Sequence, residues 1–376
     1  MSDITVVVTG TDGVPGGIAA LNLNILQAVQ EHVQDREGTI TVLSYLDKQT
    51  DRPDCLEESV DFRGYDGQKP QFIASLLGEA VRGVNFLFDH VTLVPPVLPF
   101  QMLGHIRTVV FAHGSEAWGD VRRSSQWAFQ AVDLCLTNSA FTLNKMQDRL
   151  PPFPGDSCPL GLSPRFELNE QFPEKREEVI RLSAVDGRER ELRDKVLLLV
   201  GRMKREETGK GRRPLIRILP ELQNHHPDVQ LVFPGSGNEI VNLEAFAREH
   251  GIASSVFLPG YVSTEMLERL YRSCYAYVMP SRQEGFGLAY LEAMNYGAPC
   301  IGCWDDGAED VITHGETGYL VEGGNDNALR DAALRLLNDP QRAEEMGRMG
   351  FEKLHRTFTS RHFRNRFRKK IRGVLQ

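Results

Sequence analysis

The sequence predicts an α/β protein of two doubly wound, Rossmann-like domains whose strand ends face a shared interdomain cleft. Three observations lead there. Short apolar runs bounded by glycine, proline or serine alternate with helical patterns, which is the mark of parallel sheets covered on both faces. The alternation occurs twice, on either side of residues 163–194, a charged, proline-bearing stretch poor in strand signals that reads as a linker. The length of 376 residues also suffices for two domains, each with its own core.

The first half supplies strands at ITVVVTG (4–10), GTITVLSY (38–45), RTVVFAHG (107–114) and DLCLTNS (133–139), with helical patterns such as IAALNLNILQAVQEHV between them. Residues 46–84 and 114–130 carry no informative pattern. The second half repeats the scheme with KVLLLVGR (195–202), VQLVFPG (229–235), SVFLPG (255–260), AYVMPS (276–281), PCIGC (299–303) and TGYLVE (317–322). In doubly wound sheets ligands bind at the carboxyl ends of the strands, so functional residues are expected where these runs stop.

A net charge of −8 and a pI of about 5.8 argue against general nucleic-acid binding. The basic exception is the end of the chain, RTFTSRHFRNRFRKKIRGVLQ, with Phe358, Phe363 and Phe367 interleaved. It reads as an amphipathic helix whose aromatics pack on the body and whose cations are solvated, with a weak peripheral membrane contact as the alternative. No apolar run approaches the roughly 18 residues of a membrane span, and MSDITVVVTG enters a strand without a basic leader. The expected location is therefore the cytoplasm, with the inner membrane face as a peripheral option. Cys55, Cys135, Cys158, Cys274, Cys300 and Cys303 are scattered. The pair Cys300 and Cys303 lies in a strand run, where positions three apart point to opposite faces, so reduced thiols are expected.

Chemistry concentrates in SRQEGFGLAYLEAMNYGAPCIG (281–302), which reads as strand end, glycine turn and helix. Glu284 precedes the Gly285-Phe286-Gly287 turn and Glu292 follows eight residues later, roughly 80° away on a helical wheel, so both can face one cleft. A helix start at Leu288 offers free amides to phosphate or sugar oxygens. The plainer alternatives are a capping carboxylate and a solvated helix residue. TGTDGVPGG, with Gly10, Gly13, Gly16 and Gly17, supplies another glycine turn before a helix, without a dinucleotide fingerprint or a P-loop. It suits either an anion or a plain tight turn. After LLLV, Gly201 and Arg202 leave a strand and Lys210 precedes a helix, the placement of cations that a diphosphate needs. Lys204, Arg205, Arg212 and Arg213 read as a solvated basic loop. VFPGSG ends its strand with Gly235, Ser236 and Gly237, and His113 ends another in VVFAHG. No Asp-x-Asp triplet and no compact His/Cys cluster occurs, so no metal site is expected.

In this order, GR…KG, PGSG, VFLPGYV, EGFGLAYLEAM and THGETGYLVEGGNDNAL resemble the retaining, nucleotide-sugar-dependent glycosyltransferases of the GT-B fold, specifically glycosyltransferase family 4, the glycosyl transferases group 1. TGTDGVPGG, FAHGSEAW and TNSAFT are similar to that family more loosely. The resemblance implies an acceptor-binding domain over residues 1–170, a donor-binding domain over 171–355, and a helix at 356–376 packing back on the first domain. It implies Glu284 beside the donor sugar, Glu292 on the nucleotide ribose, and the amides of Gly285, Phe286, Gly287 and Leu288 meeting sugar and phosphate. Gly235, with Gly16 and Gly17 from the first domain, joins the donor contacts. Arg202 and Lys210 neutralise the diphosphate, and His113 lies near donor sugar and acceptor. The Arg202-to-Lys210 spacing is longer than in the family, which leaves Lys204 as the alternative second cation.

The implied reaction moves a sugar from a nucleotide-diphosphate sugar to a carbohydrate, lipid-linked or small-molecule hydroxyl. It retains the anomeric configuration and uses no metal and no cofactor beyond the donor. The departing phosphate receives the acceptor proton, and Arg202 and Lys210 stabilise the charge it develops. A sugar-nucleotide epimerase or hydrolase, and a non-catalytic nucleotide-sugar-binding partner, are the alternatives.

Overall fold

The computed structural model describes residues 3–11, 16–34, 38–173 and 179–375. The chain divides into two compact units, Met1–Arg165 with Phe358–Gln376, and Phe166–Thr357.

The first unit runs through β1 (Ile4–Val8), α1 (Gly17–Gln34), β2 (Ile40–Ser44), β3 (Asp61–Gly64), α2 (Lys69–Val81), β4 (Asn85–Phe88), α3 (Leu98–Met102), β5 (Thr108–Ala112), α4 (Ser115–Trp118), α5 (Arg123–Ala131), β6 (Leu134–Thr137), α6 (Ala140–Arg149) and β7 (Gly155–Ser157). The strands form one seven-stranded parallel sheet in the order β3-β2-β1-β4-β5-β6-β7. Every residue of β1 and β5 is buried, as expected of a strand covered by helices on both faces. Strands β3, β4 and β7 had no counterpart among the expected runs. Asp61–Gly64 and Gly155–Ser157 are short, polar sheet edges, and Asn85–Phe88 is four residues long, too brief for a period to register.

The second unit contains β8 (Arg181–Ser183), β9 (Glu189–Glu191), β10 (Val196–Leu198), α7 (Arg212–His225), β11 (Gln230–Pro234), α8 (Ile240–Glu249), β12 (Val256–Gly260), α9 (Thr264–Ser273), β13 (Ala276–Val278), α10 (Leu288–Asn295), β14 (Cys300–Cys303), α11 (Ala308–Val311), β15 (Gly318–Val321), α12 (Asp326–Asn338) and α13 (Pro340–Thr357). Six parallel strands take the order β12-β11-β10-β13-β14-β15. The stretch 163–194, expected as linker, is more than that. Its residues 174–178 lie outside the described set, but β8 and β9 pair as an antiparallel hairpin within the second unit. Their alternating charged residues hide a strand signal because the hairpin is exposed.

The last helix, α14 (Ser360–Ile371), belongs to the first unit. Phe363 and Phe367 are fully buried, each with its ring centroid 6.4 Å from that of Phe111 of β5. The Phe358 carbonyl accepts from Leu162 N at 2.7 Å, and Arg364 donates to Glu31 of α1 at 2.7 Å. The partly exposed ion pairs contribute at most about 1 kcal/mol each, so aromatic burial fixes this helix. Among the described residues no helix is long and apolar enough to cross a membrane.

In both sheets the strand order reverses direction beside the first strand, between β1 and β4 and between β10 and β13. A switch point leaves a crevice at the carboxyl ends where no crossover covers the sheet.

Candidate active site

In the second unit Gly201 and Arg202 leave β10, and Met279 to Glu284 leave β13, so both flank its switch point. Arg202 is exposed. The segment Arg205–Lys210 winds as a 3-10 turn and returns Lys210 to the same place. Lys210 Nζ stands 3.8 Å from Glu284 Oε2. Arg282 N donates to Gly209 O at 3.1 Å, tying the two loops together. Lys204, the alternative cation, is exposed.

Arg212 and Arg213, read as solvated, are not. Gly211 takes a left-handed conformation as the N-cap of α7, which turns Arg212 inward. The Arg212 guanidinium is buried and donates to Gly201 O at 2.5 Å, and Arg213 pairs with Glu239 at 2.7 Å. The expected basic loop is therefore half structural. Gly235 N donates to Gly260 O and Gly201 N to Pro234 O, so Gly235 sits beside the end of β10.

Glu284 lies four residues before α10, in a turn rather than on the helix, so a helical wheel does not relate it to Glu292. Gly287 is the N-cap, with φ 86° and its Cα against the Tyr290 ring, where a Cβ would collide. Gly285 and Phe286 are buried, while Leu288, the first helical residue, is partly exposed. Glu292 accepts from Tyr271 Oη at 2.7 Å. Burial, and next Glu292 itself, hold the Tyr271 phenol well above its usual range, so it remains a donor. Tyr277 and Tyr290 continue beneath the site, their rings edge to face at 5.4 Å, and Tyr290 Oη donates to Met279 O at 2.7 Å. These three tyrosines went unread because they come from α9, β13 and α10, with nothing local to connect them.

Asp306, in the loop after β14, was also unread. It is buried, and its Oδ2 accepts from Glu284 N at 3.1 Å. Burial, then the Glu284 charge, push its carboxyl up to about 8.

The first unit holds the remaining expected residues. Gly16 O accepts from Ala20 N and Gly17 opens α1, whereas residues 12–15 of that turn, Gly13 included, lie outside the described set. Asp89 Oδ2 accepts from Thr9 N, Thr9 Oγ1 and Asn22 Nδ2 at 2.6–2.7 Å, pinning the end of β1 to the end of β4. His113 Nε2 donates to Asp89 O at 2.5 Å, and Asn138 Nδ2 donates to His113 O. All six cysteines are free, and Cys300 and Cys303 are buried in β14. Among the described residues no three His, Cys, Asp or Glu side chains converge as metal ligands.

Two doubly wound sheets, the second with cations and carboxyls gathered at its switch point, define a doubly wound α/β class. Residues 186–353, most of the second unit, match the family model of the glycosyl transferases group 1. The chain is 34% identical over 148 residues to a GDP-mannose-dependent alpha-(1-6)-phosphatidylinositol monomannoside mannosyltransferase of Mycolicibacterium smegmatis; the match takes in 38% of this chain and 39% of that protein. It is 29% identical over 276 residues to a D-inositol 3-phosphate glycosyltransferase of Corynebacterium jeikeium, covering 70% of this chain and 63% of the relative. The chain thus spans about two fifths of the length of the mannosyltransferase and under two thirds of the inositol phosphate enzyme. An Anabaena protein, HepE, solved in complex with UDP and glucose, superposes with a TM-score of 0.77 at 16% identity over 100% of both chains. That likeness establishes the fold class, GT-B.

Proposed function

We propose that the protein is a retaining glycosyltransferase that moves a sugar from a nucleoside-diphosphate sugar to a carbohydrate, lipid-linked or small-molecule hydroxyl. The observation that carries this reading is Lys210 beside Glu284 at the switch point of a glycosyl transferases group 1 domain. Glu292 accepts from the ribose hydroxyls, held in place by Tyr271. The amides of Gly285, Phe286, Gly287 and Leu288 and the end of α10 receive the donor's oxygens, as unpaired helix-start amides do. Arg202 and Lys210 meet the diphosphate, and Gly235, Gly16 and Gly17 provide close backbone approach. His113 orients the acceptor side of the reaction.

Cleavage of the anomeric carbon–oxygen bond leaves its electron pair on the diphosphate. The acceptor hydroxyl forms the new bond on the same face and passes its proton to the departing phosphate oxygen. Two fixed cations supply the countercharge, so the reaction needs neither metal nor cofactor beyond the donor. Six thiols without a disulfide accord with a reducing cytoplasm, and the exposed Arg361 and Lys369 of α14, with Arg372 just after it, allow a peripheral contact with the inner membrane face.

The test is incubation with UDP-glucose and, separately, GDP-mannose, with EDTA and a panel of glycan, polyol and lipid-linked acceptors. The expected result is acceptor-dependent nucleoside diphosphate release and a glycoside with the donor's anomeric configuration. Epimerised donor, free sugar alone, or a requirement for added divalent metal overturns the reading.

A further inference from the structure

The loop after β14 is laced to the turn that carries Glu284. Asp306 Oδ2 accepts from Glu284 N at 3.1 Å, and Gly307 N returns to Glu284 O at 2.9 Å. Gly307 lies so close to the Gly285 carbonyl and Phe286 amide that a Cβ there would overlap both. The Asp306 side chain is 1% exposed, and its second oxygen, Oδ1, is buried without a hydrogen bond of ordinary geometry. Among the described residues no cation pairs with it.

The groups facing this carboxyl come from each neighbouring element. Glu284 approaches from the turn and has Lys210 Nζ 3.8 Å from its Oε2. The Tyr290 phenol comes from α10 and the Cys303 thiol from β14, both pushed up by burial first and in part by Asp306. Arg282 acts on Cys303 from the loop after β13, while Asp305 and Glu309 are exposed and engage each other. The amides of Glu284, Ala308 and Gly307 favour the carboxylate, yet burial and Glu284 outweigh them. A buried charge without a cation costs far more than a buried neutral acid.

We propose that Asp306 is a positioning residue that works as a neutral carboxylic acid, holding the Glu284–Phe286 turn in the shape that receives a nucleoside diphosphate sugar, and that its ionisation weakens that site. The proposal rests on the reading of the second unit as the donor site. Once ionised, Asp306 places a second negative charge beside Glu284 without a cation of its own. Asparagine keeps an oxygen for the Glu284 amide and cannot ionise.

The experiment is calorimetric titration of UDP and of GDP into the full chain at pH 7 and pH 9, for wild type and Asp306→Asn. With the acid titrating at about 8, about a tenth of the protein keeps the neutral form at pH 9, so wild-type affinity should fall about tenfold between the two pH values. The variant's fall should stay within about twofold. An equal decline in both proteins overturns the inference and leaves the donor reading standing. If neither nucleotide binds wild type at pH 7, the donor reading itself fails. Independently of any variant, one side-chain carboxyl resonance in 13C-aspartate-labelled wild type should move between pH 7 and 9; if none moves, Asp306 is not the neutral acid proposed.

Discussion

The two units share a strand order but treat the acidic residues at their strand ends in opposite ways. In the first, Asp89 draws three donors from Thr9 and Asn22, and Asp47 three from Thr11 and Ser44. In the second, Asp306 meets main-chain amides alone and has Glu284 for a neighbour. Carboxyls that draw hydroxyls or an amide side chain onto one oxygen fix a loop, although Asp47 and Asp89, like Asp306, each keep a buried Oδ1 without a partner. One crowded by a like charge is a structural group that still responds to pH. The second unit also gathers countercharge in Lys210 and Arg202, whereas the first offers hydroxyls, glycine and His113.

Phe363→Ala empties the seat of α14 and should destabilise the first unit by about 3–5 kcal/mol, read by urea unfolding, while nucleotide binding to intact protein stays unchanged. Lys210→Ala and Arg202→Ala should each lower turnover by about 2.7–4 kcal/mol of activation free energy with little loss of melting temperature. A near-normal Lys210→Ala beside an inactive Lys204→Ala would reassign the second cation.

The Asp306 contrast also has a stability signature. A carboxyl raised from 3.8 to about 8 in the folded state contributes stability that is complete below the unfolded value and is lost as pH rises through about 8. Asp306→Asn should therefore gain on wild type from pH 5 to pH 8, by on the order of a few kcal/mol, in chemical unfolding at each pH. A constant difference would contradict the raised value. Smallest is Tyr271→Phe, which frees the Glu292 carboxyl and should weaken nucleotide binding about three- to tenfold.

The sequence made most of this fold legible because buried parallel strands are continuous apolar runs, and β1, β2, β5, β6 and β10 to β15 all announce themselves that way. The edges β3 and β7, and the β8–β9 hairpin, lack that signal because one face or both meet water. At the site, the Glu284–Glu292 stretch was readable since strand end, glycine turn and helix are contiguous. Arg212 was misread because a run of cations looks solvated until the left-handed Gly211 turns one of them inward. Asp306 was invisible for a related reason: Asp-Asp-Gly reads as an exposed turn, and its burial depends on a loop 22 residues earlier in the chain.

The donor-site reading rests most heavily on Glu292 as the nucleotide's ribose acceptor. Calorimetric titration of UDP and GDP into wild type and Glu292→Gln tests that directly. The affinity for the nucleotide that binds should drop about tenfold to a hundredfold, the worth of one charge-assisted hydrogen bond of about 1.5–3 kcal/mol. Equal affinities in the two proteins would contradict the assignment.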